Sequence, residues 1–345
     1  MTHRPARTLT GPPIGPLIGP LIGTAVALVL GATLSACGTS DAGPTTASGD
    51  TTLDDTTPAA AGSDWPRTVT SCGREVTLDA APTRVVGIEG AAETALALEA
   101  GDQLAGWYGN APEKLPGVLG EQAALSEHLG GSFPTPQLED ILATEPDLLL
   151  LYGYNSEAGL TQERLDELGV PHLLLSEACP EDADGSLDGY FTDTVTIATA
   201  LGDQEAGEAL VEEWRGRIAD ATAAPVEGEP SVFVMGNTDP TEPFASGGSS
   251  LADEQIALAG GVNAFGDTDE AFLSPTWEEV ATRDPDVIVD GSGGLEESMA
   301  ALQDYLRSDS ALSRMTAVEN DSFLVIDYYD NVPGPRAVDG VVQLA

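Results

Sequence analysis

The chain has 345 residues, of which 41% are hydrophobic and 5% aromatic, so it can bury a large core and should form more than one folding unit. Its 57 acidic residues face only 13 lysines and arginines, which gives a formal net charge of −44. A surface this negative repels nucleic acid and anionic membranes, so the composition argues against a function in binding DNA or RNA.

The first 66 residues have the features of an export signal followed by a tether. Two arginines precede a short apolar tract, Leu21–Leu34, and the sequence LSAC ends at Cys37. We predict a lipoprotein signal peptide over residues 1–36 with Cys37 lipidated as the new N-terminus; a plain secretory signal is the alternative. Residues 37–66 are rich in Thr, Ala, Gly and Asp and are predicted to form a flexible acidic tether. The lipid would hold the exported protein on the outer face of the cell membrane.

Two cysteines, Cys72 and Cys179, remain after Cys37. An exported protein folds in an oxidising compartment, and an even number of remaining cysteines favours a disulfide between them. A pair of unpaired buried thiols is the alternative.

After the tether, a hairpin and then alternating strands and helices are predicted in chain order. They are a strand at Arg84–Ile88, a helix from about Ala91, a strand at Leu104–Gly109, a helix in LEDILAT, a strand in LLLL, a helix in RLDELG and a strand at His172–Leu175. This alternation predicts an α/β fold with a parallel sheet covered by helices.

The pattern changes between residues 186 and 224, where apolar residues recur at helical spacing with an interruption only near Gly202. The strand and helix alternation then restarts, with strands in SVFVMG, DVIVDG and SFLVIDYY. The predicted architecture is an N-terminal α/β lobe (67–185), a bridging helical rod (186–224) and a C-terminal α/β lobe (225–345).

One phrase of the sequence occurs twice. LEDILATEPDLLLL begins at Leu138, and WEEVATRDPDVIVD begins 139 residues later at Trp277. An acidic pair, an apolar pair, a Pro-Asp and an apolar run coincide in the two segments. We interpret them as a duplicated structural unit, present once in each lobe.

The residues that follow the predicted strands are unusually aromatic. In open α/β sheets, ligands bind beyond the carboxyl ends of the strands, so these residues should line a site. Five of the seven tyrosines and one of the four tryptophans lie at such ends. The positions include Glu89, Trp107, Asn110, Tyr152, Tyr154, Tyr328 and Tyr329. Their clustering predicts a binding cleft between the lobes.

Motifs for catalysis are missing from the sequence. It has no GxGxxG after the first strand, no P-loop and no GxSxG nucleophile elbow. After the signal peptide only His128 and His172 remain, 44 residues apart, which argues against His-based catalysis and a bare metal site. His172 lies in a strand, where a core or surface role is expected. We therefore predict that the chain is not an enzyme and holds no cofactor or metal ion of its own.

Several segments in their order resemble the substrate-binding lipoproteins of iron-siderophore and cobalamin ABC importers. The resemblance rests on the LSAC sequence, SCGREVTLDAAPTRVV, AAETALALEAGDQLAGW, the two repeated phrases, LAGGVNAFGD and PGPR, and it runs from about Thr68 to the C-terminus. It implies two Rossmann-like lobes bridged by one long helix, with a small-molecule metal chelate in a shallow cleft. The implied ligand is a ferric siderophore, with cobalamin or haem as the alternative, and the implied partners are an ABC permease dimer and its ATPase.

The resemblance also implies roles for individual residues. Glu139 and Glu278, one on each lobe and equivalent in the repeat, would dock onto arginines of the permease, and the adjacent acids Asp140 and Glu279 could share that role. The ligand would be contacted by residues placed by motif or by position after a strand: Trp107, Asn110, Phe133, Tyr152, Tyr154, Phe244, Phe272, Tyr328, Tyr329 and Arg336.

Three points stay open at the level of sequence. Arg336 could contact an anionic siderophore, cap the final helix or pair with Asp339. The glutamates could simply be exposed acids at helix N-termini, where the helix dipole favours them. A cell-surface α/β hydrolase and a lipoprotein adhesin are competing functions, the first disfavoured by the missing nucleophile motif and the second by the aromatic cleft.

Overall fold

The computed structural model describes residues 65–293 and 295–345, with the side chains of Leu295 and Glu296 excepted. The predicted signal peptide, the lipidated Cys37 and nearly all of the tether lie outside the described residues. None of the helices in the described part of the chain is long and apolar enough to cross a membrane.

The predicted hairpin opens the described chain. Strands β1 (Arg67–Ser71) and β2 (Arg74–Leu78) pair antiparallel through a two-residue turn. Both turn residues have positive φ, 51° at Cys72 and 71° at Gly73, as the tight turns favoured by twisted hairpins require. The predicted disulfide is present, and it joins this turn to Cys179.

The first lobe contains one all-parallel sheet of five strands in the order β5-β4-β3-β6-β7. Its elements are β3 (Val85–Ile88), α1 (Gly90–Ala97), β4 (Leu104–Tyr108), α2 (Gly117–Ala123), β5 (His128–Gly130), α3 (Leu138–Leu142), β6 (Leu148–Leu151), α4 (Gln162–Leu168) and β7 (His172–Leu174). All four leucines of β6 are 0% exposed, as expected for a strand of a parallel sheet that is covered by helices.

The helical region is a hairpin rather than the predicted rod. Helix α5 (Leu187–Leu201) ends at Gly202, whose φ of 108° lets the chain reverse, and α6 (Gln204–Ala221) begins with the Asp203 side chain accepting from the Ala206 amide at 3.0 Å. Tyr190 stacks on Trp214 with ring centroids 5.7 Å apart, so the helices run antiparallel. The interruption near Gly202 was predicted correctly, but the single long bridging helix was wrong because the two apolar faces pack on each other.

The second lobe has a mixed sheet of six strands, in which β8 is central. Its order is β11-β9-β8-β12-β13, with β10 also paired to β8; the pairs β8–β9 and β9–β11 are antiparallel and the others parallel. The elements are β8 (Ser231–Met235), β9 (Ala245–Ser246), α7 (Leu251–Leu258), β10 (Val262–Asn263), β11 (Phe272–Leu273), α8 (Trp277–Arg283), β12 (Val287–Asp290), α9 (Leu295–Ser308), α10 (Thr316–Glu319), β13 (Phe323–Val325) and α11 (Ala337–Leu344).

Two features of this lobe differ from the sequence prediction. Strands β9, β10 and β11 have two residues each, too few to show a period in the sequence. The last predicted strand was too long, because β13 ends at Val325 and Tyr328–Asp330 form a 3-10 turn. The Asp327 side chain, which accepts from the Tyr329 amide at 3.0 Å, ends the extended run.

The two repeated segments share backbone conformations and hydrogen bonds. Strands β6 and β12 occupy equivalent positions of the repeat, and the equivalent residues Glu145 and Asp284, which lie between each helix and its strand, both have positive φ (52° and 45°). The Asp of each Pro-Asp pair accepts from the first amides of the neighbouring strand. Asp147 accepts from the Arg84 amide at 3.0 Å, and Asp286 accepts from the Ser231 amide at 2.8 Å. The repeated Pro-Asp therefore joins two strands of a sheet in each lobe.

One apolar cluster of the core extends from the first lobe into the second. This cluster combines first-lobe residues and the α5–α6 hairpin with Leu251 of α7 and three residues of α11: Ala337, Val338 and Val341. The α11 helix thus packs with the first lobe, although its sequence follows the second. The N–H of Leu187 also donates to Glu254 of α7 at 2.7 Å. These contacts hold the two sheets in one compact body.

Candidate ligand cleft

The ends of β3 and β6 meet the turn after β13 around a cavity of about 260 Å³. Four of the predicted ligand residues, Phe133, Tyr152, Tyr154 and Tyr328, come together there. The remaining lining residues are Ile88, Glu89, Ser132, Thr135, Gly153 and Asn155. Nine of the ten belong to the first lobe, and Tyr328 alone comes from the second. Topology explains the meeting, because parallel strands end at the same edge of a sheet.

Tyr152 is held by a half-buried acid. Its hydroxyl donates to Glu177 at 3.0 Å, and Glu177 lies in the 3-10 turn that follows β7. Burial raises the pKa of Tyr152 well above its usual range, and the negative charge of Glu177 raises it further. Burial also raises the pKa of Glu177, although the Tyr152 hydrogen bond opposes that rise. Tyr152 therefore enters the cleft as a neutral phenol in a fixed orientation.

Tyr154 is positioned by a buried histidine. Its hydroxyl is 2.9 Å from Nε2 of His172, and the guanidinium of Arg74 is 2.6 Å from the same nitrogen. Arg74 can only donate, so Nε2 accepts and the Nδ1 proton is assigned to the 3.1 Å bond with the Val170 carbonyl. Burial lowers the pKa of His172, which keeps the ring neutral. His172 is 1% exposed, so of the core or surface role expected for it the structure shows the core one.

Tyr328 supplies the wall from the second lobe. It packs edge-on against Tyr329, with ring centroids 5.2 Å apart. Burial, followed by the charge of Glu89, raises the pKa of Tyr328 to about 12. Tyr329, although predicted to contact ligand, lies behind Tyr328 and not in the lining of the cavity; the guanidinium of Arg336 is 4.4 Å from its ring centroid.

Glu89 sits in a strained backbone conformation at the end of β3. Its φ of 53° and ψ of −132° fall where residues with a side chain are rare, and such a position is unfavourable by roughly 1–3 kcal/mol. Hydrogen bonds hold it there, because its amide donates to the Tyr108 carbonyl and its carbonyl accepts from the Glu93 amide, both at 2.9 Å. Because it follows a strand, Glu89 was predicted to line a site, but it was not among the residues predicted to contact the ligand. The signal that could have selected it was that position.

Phe133 forms the rim of the cavity. Its side chain is 93% exposed, which is exceptional for a large apolar residue. Next to it, the Asn155 side chain donates to the Thr135 hydroxyl at 2.9 Å and accepts from the Ala158 amide at 3.0 Å. Asn155 follows a predicted strand, and that position was its sequence signal. Ser132 and Thr135 had none, because nothing marks a loop polar residue as facing a ligand.

Two predicted ligand contacts are wrong because the residues are buried. Trp107 is 0% exposed and packs on His128 with ring centroids 4.5 Å apart. Arg336 is 5% exposed and binds both carboxylate oxygens of Glu93, at 2.9 and 3.0 Å, and also Asp327 at 3.2 Å.

This arginine joins the last segment of the chain to the first lobe. A Cβ on Gly90 would lie 2.1 Å from the Pro333 carbonyl oxygen, so the two segments touch directly above the ion pair. Asp339, the alternative partner weighed for Arg336, instead pairs with Arg217. Arg336 thus stabilises the contact between the lobes rather than a ligand.

Three further predicted residues lie outside the cavity. Asn110 follows β4 and is half-buried. Phe244 and Phe272 stack on each other with ring centroids 5.6 Å apart. Phe244 lines a larger groove of about 1000 Å³, which is built from second-lobe residues alone. The smaller cavity, unlike this groove, combines residues of both lobes.

The two predicted docking acids have matching positions. Glu139 and Glu278 are exposed in the first turns of α3 and α8. Glu279 differs from its neighbour, since its carboxylate accepts from the Thr276 amide at 2.7 Å in a capping box. Its pKa is lowered by these hydrogen bonds with Thr276. Glu278 borders the larger groove.

Within residues 65–293 and 295–345, no three His, Cys, Asp or Glu side chains are grouped in a way that could hold a metal ion.

A family profile described as periplasmic binding protein matches residues 85–329, more than half of the chain. The chain belongs to that family. The resemblance noted in the sequence is thereby confirmed, as is the two-lobed α/β fold class. The family consists of binding proteins rather than enzymes, in agreement with the prediction that the chain is not an enzyme.

Individual relatives point to several ligands. The chain is similar to the structure of an ABC-type Fe³⁺-hydroxamate transport system from Saccharomonospora viridis, with 29% identity, a TM-score of 0.68, and coverage of 81% of this chain and 98% of that one. The chain also shares its fold with the periplasmic heme-binding protein RhuT from Roseiflexus. The two are 24% identical with a TM-score of 0.60, and the match covers 76% of this chain and 95% of RhuT. A vitamin B12-binding protein from Yersinia pestis is 28% identical over 170 residues, which span 49% of this chain and 57% of the relative.

Proposed function

We propose that this protein is the extracytoplasmic binding component of an ABC importer, and that it captures a ferric siderophore for delivery to the permease. The observation that carries the proposal is the cavity in which Tyr152 and Tyr154 of the first lobe face Tyr328 of the second. Aromatic side chains at strand ends provide the apolar faces that a bulky chelate needs, and their hydroxyl groups orient it. Lipidation of Cys37 would hold the protein at the membrane near its partner.

The chemistry of the cleft supports a metal that arrives fully chelated. A tyrosine ligates haem iron as a phenolate. Burial and nearby carboxylates raise the pKa values of Tyr152 and Tyr328, so both remain neutral phenols. None of the ten lining residues is a histidine, cysteine or methionine. The cleft is therefore better suited to a chelate whose iron needs no ligand from the protein.

Cobalamin is the second candidate, because the matched curated relatives are vitamin B12-binding proteins. A cavity of about 260 Å³ would enclose only part of either ligand. The volume therefore does not separate the two, and the remainder of the ligand would lie outside the cavity.

Tryptophan fluorescence titration of the purified protein tests the proposal. We expect saturable quenching by a ferric trihydroxamate and a loss of affinity of about ten-fold or more in Tyr328→Ala. Phe244→Ala, which alters the larger groove, is the control and should bind normally. A loss in Phe244→Ala alone would move the ligand to the groove, and binding of cobalamin alone would replace the siderophore.

Docking to the permease through Glu139 and Glu278 is part of the proposal. Each lobe offers one exposed carboxylate at an equivalent position of the repeat, and none of the described hydrogen bonds or ion pairs engages either carboxylate. A two-lobed protein on a two-fold transporter needs one such anion per lobe.

A further inference from the structure

The cavity between the lobes carries negative charge and no positive charge. Glu89 is the one ionisable acid among the ten lining residues, and within the described part of the chain no lysine or arginine lines the cavity. Lys114, the only lysine of the chain, is exposed in the 3-10 turn after β4 and outside that lining. An anionic ligand would therefore meet no cation in the cleft.

The two arginines behind the cleft are both paired with carboxylates. Arg74, which lies 2.6 Å from the His172 nitrogen that Tyr154 also contacts, pairs with Asp166 at 3.0 Å. Arg336 is surrounded by Glu93 and Asp327, two carboxylates for one guanidinium. Glu177 adds another acid directly behind Tyr152. The groups around the cleft therefore have an excess of negative charge. The influence of Glu89 reaches across the cleft, because it helps to raise the pKa values of Tyr152 and Tyr328.

The backbone conformation of Glu89 is also energetically unfavourable for a residue with a side chain. Glycine would adopt its positive φ without strain, whereas a side chain there is directed by the backbone at the end of β3. Glu89 lines the cavity, and no described hydrogen bond or ion pair neutralises its carboxylate.

Resting on the proposed function, we propose that the cleft selects metal chelates by charge, with Glu89 as the residue that favours neutral or cationic complexes and excludes anionic ones. Three hydroxamate groups neutralise ferric iron, whereas three catecholate groups leave a strongly negative complex. The substrate class is therefore a ferric hydroxamate, and a protonated amine on the ligand would pair with Glu89.

A matched set of three probes tests this inference. The first is a ferric trihydroxamate with a free terminal amine, the second carries that amine acetylated and the third carries it succinylated. The iron centre is the same in all three, and only the charge of one end changes from positive to neutral to negative. We expect affinity to fall at each step, by about ten-fold from amine to succinate in total, and the difference to shrink as salt rises.

Glu89→Gln should reduce that span to about two-fold while it leaves the acetylated probe nearly unaffected. Glu99→Gln is the matched control, because Glu99 is also a glutamate with positive φ (57°) and lies at the other end of α1, outside the cavity. Glu177→Gln provides a second test if Glu89→Gln is poorly folded, and it should reduce the span to a smaller extent.

Equal binding of the amine and succinate probes by the native protein would overturn the charge inference and leave the proposed function standing. The same conclusion would follow if Glu89→Gln and Glu99→Gln behaved alike. Failure of all three probes together with binding of a ferric catecholate would overturn the inference and leave the siderophore function standing. Failure of the hydroxamates and the catecholate alike would refute the siderophore function itself.

Discussion

The two copies of the repeated segment, 138–151 and 277–290, have the same backbone scaffold but lead to different chemistry. Both have a residue with positive φ between helix and strand, and both use the Asp of a Pro-Asp pair to join neighbouring strands. Beyond the strands they diverge. The first copy continues into Tyr152 of the cleft, whereas the second ends at the buried Asp290, which binds Ser292 and Ser298.

This difference explains why the cavity is so one-sided. The duplication supplied two similar frames and two exposed glutamates, but the residues after the strands were free to differ. Nine of the ten cavity residues therefore come from the first lobe. The second lobe contributes through the turn after β13, whose counterpart after β7 carries Glu177.

The largest effect is expected where the copies are alike. The double variant Glu139→Ala, Glu278→Ala should lower uptake of the ferric chelate by cells at least about ten-fold, because each lobe loses its anionic contact with the permease. Affinity for the chelate, measured by fluorescence, should stay unchanged.

Glu279→Ala is the control for this pair, since its carboxylate is bound to Thr276 rather than free for a partner. It should keep uptake. Native uptake in the double variant would remove the docking assignment.

An effect of pH on stability is expected at the turn that follows β7. The corresponding turn of the second lobe, after β13, is built differently. Asp193 accepts from the Ser176 amide at 2.7 Å and from its hydroxyl at 2.8 Å, and burial raises its pKa to about 6. Between pH 4 and 6 the unfolded chain releases a proton that the folded protein retains. Asp193 should therefore lower the free energy of unfolding by up to about 3 kcal/mol as pH rises through this window.

Asp193→Asn does not ionise and should lose that part of the pH dependence, as urea unfolding at pH 4, 5 and 6 would measure. Glu205→Gln, at an exposed site of α6, should retain it. Parallel curves for the native protein and Asp193→Asn would contradict the assignment.

The Pro-Asp pairs should differ in strength between the copies. Asp147 accepts from two amides, those of Thr83 and Arg84, whereas Asp286 accepts from the Ser231 amide alone. We expect Asp147→Ala to destabilise by about 2 kcal/mol and Asp286→Ala by about 1 kcal/mol, as measured by urea unfolding. Equal losses would mean that the second amide contributes nothing.

The smallest effect concerns the helix starts. Thr276 caps α8 through the Glu279 amide at 3.2 Å, while Gln137 makes no side-chain cap on α3. Thr276→Ala should therefore lower stability by about 1 kcal/mol, and Gln137→Ala should have almost no effect in the same thermal unfolding assay. A larger loss in Gln137→Ala would show that α3 depends on a contact other than a cap.

Features that depend on neighbouring residues in the chain could be predicted from the sequence. The strand in LLLL, the hairpin, the repeat and the interruption at Gly202 all follow from local periodicity and turn residues. The position of Tyr152, Tyr154 and Tyr328 at strand ends followed as well, because parallel strands deliver their carboxyl ends to one edge.

Features that depend on distant partners were decided only by the tertiary structure. Arg336 pairs with Glu93, which lies 243 residues earlier in the chain. A buried guanidinium needs such a partner, whatever its local sequence suggests. The burial of Trp107 was also decided by the tertiary structure, since packing and not its place in the strand determined that it is buried. Sequence thus determined which residues reach the edge of each sheet, and the packing of the lobes determined which of them face a ligand.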